Sequence, residues 1–200
     1  MLLLSSSAQH IYWLGRYLFR IEYMVSHLPF TDDQQAAGFA QALCLHIDDA
    51  ESLNQFMLDR QQPYSLMSQL EIARDNIQEL RGLLSSETYA ELNHLIKNVV
   101  SDVPTIQNIV KECCAILKTE QEDIALFFHI GQGMEQIDTC FRLQHNIHDV
   151  LNTIDSVIER LFHLGWDDLQ PSWKILKNQP DLNQFYAFIY KLENQFEAFA

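Results

Sequence analysis

The sequence predicts an all-α protein, and three observations predict it. Apolar residues recur three and four positions apart along most of the chain. Glycine and proline are scarce, six and five in 200 residues, which leaves few of the tight turns that an all-β sandwich or barrel needs. No stretch alternates apolar and polar residues between turn signals, as strands do. With 48% hydrophobic and 20% charged residues, the chain has the composition of a packed domain. Its length fits one domain, or at most two small ones.

Each element follows from local signals. Ile11, Leu14, Leu18, Ile21, Val25 and Leu28 form one stripe, predicting a helix over 7–28 that Pro29 ends. Thr31 and Gln34 have the spacing of a capping box, followed by Ala36, Phe39, Leu43 and Ile47 on one face. Asp48 and Glu51 restart the helix, with Leu53 and Phe56 or Met57 buried, and Asp59 to Pro63 is a loop. Leu66, Leu70, Ala73, Ile77, Leu80 and Leu84 make a second stripe, broken near Gly82, and Ser85-Ser86-Glu87 opens the next helix with Leu92, Leu95, Ile96 and Val99 inward. A helix from Asp102 carries Ile106, Ile109, Val110, Cys113 and Leu117. Thr119 and Glu122 suggest another capping box before Phe127, Ile130, Met134, Ile137 and Phe141. The pattern resumes with Ile147, Leu151, Ile154, Ile158 and Leu161, so residues 121–163 form either one helix or two broken at Gln144-His145-Asn146. Gly165 to Pro171 is a loop, a short helix covers 172–178, and a last helix after Pro180 carries Phe185, Phe188, Leu192 and Phe196. The expectation is a bundle of about eight helices.

Two matches in nearly the same register suggest an internal repeat. Tyr12 to Arg16 align with Phe128 to Gln132, Gly15 falling on Gly131, and Leu58 to Pro63 align with Ile175 to Pro180. Pseudo-repeats of about 5–118 and 119–200 within a single domain over 1–200 are therefore expected. A glycine inside a helix costs stability, so close helix approach is the expected reason for Gly15 and Gly131.

Thirteen basic residues against 27 acidic ones give a net charge of −14. That charge argues against nucleic acid and anionic membranes as partners. No apolar run is long enough to span a membrane. Met1 to Leu4 run straight into Ser5-Ser6-Ser7 and are expected to be an uncleaved start. Cys44, Cys113, Cys114 and Cys140 contain no CxxC pair and suggest the reducing cytoplasm.

Few residues point to chemistry. Opposite the stripe of the first helix lie Tyr12, Trp13, Arg16, Phe19, Arg20 and Tyr23. Either this helix is buried on both sides with its arginines paired to acids elsewhere, or the face lines a cleft where arginines hold a carboxylate or phosphate between aromatic walls. Glu91-x-x-His94 is one of the two such motifs that a helical di-metal site needs, and His145, His148 and Asp149 share a turn. These are too little to assign a metal, and no cofactor is assigned either: GxGxxG, P-loop and nucleophile-elbow motifs are all missing.

The run from Ser6 to Glu22, with Tyr12-Trp13, Gly15-Arg16-Tyr17 and Arg20-Ile21-Glu22, resembles the opening of the bacterial alpha-E domain proteins, an all-helical family named for a Glu-Arg motif. Leu58-Asp59-Arg60 with Pro63 and Ser65, Ala73-Arg74-Asp75-Asn76 with Arg81, Glu87 and Asn93, and Gly131 to Arg142 are similar to further family segments. The chain departs at the motif itself: Phe19-Arg20 stands at the first Glu-Arg position, Glu135-Gln136 at the second, and Gln132 where the family has Arg.

The resemblance implies association with ATP-grasp-type ligases and transglutaminase-like peptidases in systems that make or tailor peptides. It implies a binding set of Arg16, Arg20, Glu22, Arg74, Asn76, Glu135, Asp138 and Arg142, and transfers no catalytic role. Two functions follow as expectations: a component of a peptide or amide-bond-forming system that meets a carboxylate-bearing small molecule or peptide, or a non-catalytic helical interaction protein whose degenerate motif only holds the fold. The retained halves of the two motifs, Arg20 and Glu135, are expected to pair with each other.

Overall fold

In the computed structural model, which describes residues 5–198, every regular element among the described residues is helical. The α-helices are α1 (Ser5–Ser26), α2 (Asp33–Ala42), α3 (Ala50–Leu58), α4 (Leu66–Glu79), α5 (Ser86–Lys97), α6 (Val103–Lys118), α7 (Glu122–Leu143), α8 (His148–Leu161), α9 (Gln170–Asn178) and α10 (Leu182–Ala198). The all-α expectation holds, and the expected number of helices is close. Met1 to Leu4 lie outside the described residues. No helix among the described residues is long and apolar enough to cross a membrane.

Capping side chains set most helix starts, in places one residue from where the sequence pattern suggests. Asp32, not Thr31, caps α2 by accepting from the Gln35 amide at 2.8 Å. Asp49, not Asp48, caps α3 by accepting from the Ser52 amide at 2.8 Å. A carboxylate accepts from backbone N–H groups more strongly than a hydroxyl does, and it also faces the positive end of the helix dipole. Ser65 and Ser85 cap α4 and α5. Asp102 accepts from the Thr105 amide at the start of α6, and Asp181 from the Gln184 amide at the start of α10. The Thr119–Glu122 box does not set the start of α7. That helix begins at Glu122, after Gln121, which makes no side-chain cap bond.

Helix ends are equally local. Cys44, at φ 58°, terminates the turn after α2 and leaves Ile47 outside the helix that its spacing suggested. Gln144 adopts the left-handed conformation, φ 56° and ψ 37°, and divides α7 from α8, so residues 121–163 hold two helices. Gly165, at φ 97°, sits in the turn Phe162–Trp166, and Pro171 occupies the first turn of α9, where its missing N–H costs nothing.

The chain divides into two compact units, one of residues up to Arg16 and from Lys118 onward, the other of Tyr17–Leu117. In the central unit α2 packs on α3, α3 on α4 and α4 on α5. The α4 stripe from Leu66 to Leu84 is buried throughout. In the terminal unit α7 and α8 form a hairpin, closed by an ion pair of Glu122 with Arg160, and α10 lies against α7 and α9. Its core joins Phe127, Trp166 and Phe196, whose ring centroids lie 5.1 to 6.0 Å apart. Asp155 of α8 accepts from the Trp173 indole at 2.8 Å and from Lys177 at 2.5 Å, which ties α9 down.

Within the terminal unit the start of α1 crosses α7 backbone to backbone. A Cβ on Gly15 would collide with the Phe128 carbonyl oxygen, and a Cβ on Gly131 with the Tyr12 carbonyl oxygen. The contact is reciprocal, each glycine meeting the residue three positions before the other. Glycine is required here for space, as the sequence suggests, not for an unusual φ. Gly133 faces α8, where its Cβ would strike the side chain of Ile154.

These contacts grade the expected response to alanine. Gly15→Ala and Gly131→Ala must move backbone, and each is expected to destabilise by at least the roughly 3 kcal/mol that marks severe overpacking. Gly133→Ala meets a side chain that can rotate and should cost less. Gly38→Ala, on an open face of α2, should stabilise by about 0.5–1 kcal/mol. Urea midpoints of the four variants check the order.

A second expectation concerns acid. Partial burial raises the pKa of Asp155, but the hydrogen bonds from Lys177 and Trp173, with the Lys177 charge, bring it below its ordinary value of 3.8. A lowered carboxylate contributes stability above its unfolded pKa and loses it as pH falls through the folded one. The melting midpoint of Asp155→Asn is therefore expected to fall less steeply than that of the parent below about pH 4. Parallel profiles would remove the pair as a source of acid sensitivity.

Candidate functional site

Three helices of the terminal unit bring its charged groups together. On α1, Tyr12 and Arg16 lie one turn apart on the face that crosses α7. On α7, Glu135 stands one turn beyond Gly131, and Glu135, Asp138 and Arg142 follow at the i, i+3, i+7 spacing of a single face. On α10, Tyr186 and Glu193 share a face, two turns apart. The glycine crossing brings the backbones of α1 and α7 together, so the side chains in the next turn, Arg16 and Glu135, meet directly.

Arg16 Nε donates to Glu135 Oε2 at 2.9 Å. Both side chains are deeply buried, 10% and 3% exposed. Arg16 Nη1 donates to the Tyr12 hydroxyl at 3.3 Å and lies 3.6 Å from Glu193 Oε1. The Tyr12 hydroxyl in turn donates to Glu193 Oε1 at 3.4 Å. The guanidinium carbon sits 4.9 Å from the Trp13 ring centroid and 5.8 Å from that of Tyr12. Along α7, Arg142 Nε donates to Asp138 Oδ2 at 2.7 Å, and Tyr186 donates to Asp138 Oδ1 at 3.4 Å.

The electrostatics follow this geometry. Burial alone would lower the pKa of Arg16, but Tyr12 and Glu135 raise it above its ordinary value, so the buried guanidinium stays charged. Burial pushes the Tyr12 phenol well up, and it stays protonated. Burial also raises Glu193, more than Arg16 and Tyr12 lower it. Desolvation lowers Arg142, but the hydrogen bond and charge of Asp138 carry it above its usual value. Cys113, buried in α6 of the central unit, is pushed up to about 12, chiefly by desolvation. That is the opposite of what a thiolate nucleophile needs.

The sequence-derived binding set divides between the units. Arg16, Glu135, Asp138 and Arg142 fall in the terminal unit and form the network above. Arg20, Glu22, Arg74 and Asn76 fall in the central unit. There Arg20 Nη1 donates to Gln69 Oε1 at 3.2 Å, and its guanidinium carbon lies 5.5 Å from the Tyr17 ring centroid. Arg74 Nη2 lies 3.5 Å from Asp75 Oδ1, while its Nε is buried without a partner among the described residues. Asn76 donates to the Ile72 carbonyl at 2.9 Å. Glu135 thus has in Arg16 a partner that the sequence argument did not assign.

Tyr186 and Glu193 escaped the sequence reading altogether. A usable signal existed: Tyr186, Tyr190 and Glu193, spaced i, i+4, i+7, mark a second face on a helix whose first face is fully apolar. Glu91 and His94 are exposed, and no group of three or more His, Cys, Asp or Glu among the described residues is placed to hold a metal ion.

An all-helical domain with glycine-crossed helices and a buried arginine–glutamate pair is the class these observations define. The chain belongs to the Alpha-E family, described as a predicted alpha-helical domain with a conserved ER motif, whose model matches residues 3–173. No curated protein and no solved structure matches the chain. The match ends before α10, so Tyr186 and Glu193 come from a helix outside it. The Glu-Arg dipeptide that the chain does contain, Glu159-Arg160, lies on the exposed side of α8, where Arg160 pairs with Glu122. That solvated pair contributes little to stability.

Removing one member of the buried pair strands the other. Glu135→Gln is expected to destabilise by about 3 kcal/mol, the lower end of the range for a stranded buried charge, because Glu193 remains beside Arg16. Arg16→Met combined with Glu135→Gln should cost clearly less than the two single changes added together. Denaturant midpoints of the three variants measure this coupling, and strict additivity would show that the pair holds nothing.

Proposed function

We propose that this chain is a non-catalytic helical partner in a bacterial, cytoplasmic system that makes or tailors peptides, acting beside an ATP-grasp-type amide ligase or a transglutaminase-like peptidase. The observation that carries the non-catalytic part is that the charged cluster binds itself. Arg16 is matched by Glu135 and Glu193, and Arg142 by Asp138. Groups held this way fix helix positions and carry no reacting atom. The buried Cys113 thiol, raised to about 12, fits the same reading. Family membership supports the choice of partner, since the resemblance associates such domains with these enzymes. Four free cysteines support a reducing compartment.

Purified chain mixed with an ATP-grasp-type amide ligase from the same cells tests this directly. The expected result is a defined complex in size-exclusion chromatography with light scattering, and faster ATP-dependent amide formation than the ligase gives alone. No association at micromolar concentration, with no change in rate, would overturn the partnership. Amide formation by the chain without any ligase would overturn the non-catalytic reading.

A further inference from the structure

We propose that Tyr12 and Arg16 form a carboxylate-binding site that Glu193 fills in cis, and that the carboxylate of a small molecule or of a peptide C-terminus takes the place of the Glu193 side chain. This inference stands independently of the ligase partnership.

The two carboxylates of Arg16 are held very differently. Glu135 meets Nε at 2.9 Å and is 3% exposed, whereas Glu193 lies 3.6 Å from Nη1 and 3.4 Å from the Tyr12 hydroxyl and is 32% exposed. Glu135 is the structural partner. Glu193 is a loosely held occupant at the outer edge, reached by one oxygen. Desolvation outweighs what Arg16 and Tyr12 give back to it, so its pKa is raised. The side chain sits there because it is tethered, at the high effective concentration that a tether provides.

The donors, in contrast, are built in. Tyr12 is fully buried, and Arg16 is fixed by Glu135 and by the Trp13 ring below it. A fixed guanidinium and a buried hydroxyl aimed at one oxygen recognise a carboxylate well, because their orientation is set before it arrives. Displacement needs only a rotation of the Glu193 side chain. The helix itself stays, anchored by Phe185, Phe188, Leu192 and Phe196, all essentially buried. On the same face of α10, Tyr186 and Tyr190 are 47% and 68% exposed, and they supply rings for an apolar body behind the carboxylate. Arg142 and Asp138 satisfy each other nearby, which leaves Arg16 as the recognising cation.

Acetate is the probe, and the parent, Glu193→Ala and Glu193→Gln are compared by thermal midpoint, with chloride at matched ionic strength as the control. The Ala variant vacates the position. A saturable rise of about 3–6 °C is expected in it at a tenfold excess of acetate over its dissociation constant, beyond any chloride effect. In the parent acetate must displace the Glu193 carboxylate, so the rise should be smaller and need more acetate, and the Gln variant, filled by a neutral side chain of the same length, should fall between the two. A Glu193→Ala protein that folds only in acetate also supports the site. Equal responses in all three proteins, no response in the Ala variant, or failure of that variant to fold in either salt would overturn the proposal.

Discussion

The terminal unit depends on one contact, the crossing of α1 over α7 where Gly15 lies on the backbone of Phe128 and Gly131 on that of Tyr12. Dispersion and packing fall off within a fraction of an ångström, so two missing side chains decide how near the helices come. At this separation the next turn places Arg16 Nε 2.9 Å from Glu135 Oε2. With larger residues at the crossing, the same side chains would face each other across a gap, and a buried guanidinium would lack its carboxylate. The glycines lower helix propensity by about 1 kcal/mol each, and the close packing at the crossing offsets that.

A buried ion pair is a weak source of net stability, since both charges leave water. Its value here is geometric. Arg16 reaches Glu135 in only one axial position of α1 relative to α7, so the pair discriminates against a helix slipped by one turn, which apolar side chains alone tolerate. Phe196 and Phe127 pack beside the same crossing but accept many neighbours. Tyr12 extends the constraint, because its ring belongs to the apolar core while its hydroxyl belongs to the charged network. The last helix then closes over that network with Glu193 and Tyr186, from a segment beyond the family match.

What could be read in the sequence follows from the range of the interaction. The stripes of α1, α4, α7, α8 and α10 were legible because helical burial repeats every three or four residues, and the glycine pair was legible because the two glycines fall at matching positions of the repeat, each at a cost to its helix. Helix starts were legible to within about two residues. Asp32 and Asp49 won over Thr31 and Asp48, a competition between adjacent groups that spacing alone does not resolve. Arg16 was recognised as unusual, yet its bond to Glu135 was not assigned, because spacing within one helix does not say which residue of another helix it meets. The pairing of Tyr12 and Arg16 with Glu193 was invisible, because nothing local in α10 records which residues of α1 lie beside it. Arg16 and Arg20 are one turn apart in sequence and fall in different compact units, a division within α1 that the spacing of its stripe does not mark.

The way the chain uses its arginines bears on what it can meet. It has 13 basic residues against 27 acidic ones, and it commits Arg16 wholly, and Arg142 in part, to interior or half-buried pairs. Asp155 holds Lys177, and Glu122 holds Arg160, in the same unit. Each of these pairs takes up an acid together with a base, so the field outside the protein follows the excess of acidic residues, a net charge of −14. A partner that associates through that field must present basic groups, and charge complementarity then governs how fast the two meet more than how tightly they hold. Arg16, the buried cation among the described residues, is screened from that field by Glu135 and Glu193, so it recognises by contact and geometry at short range.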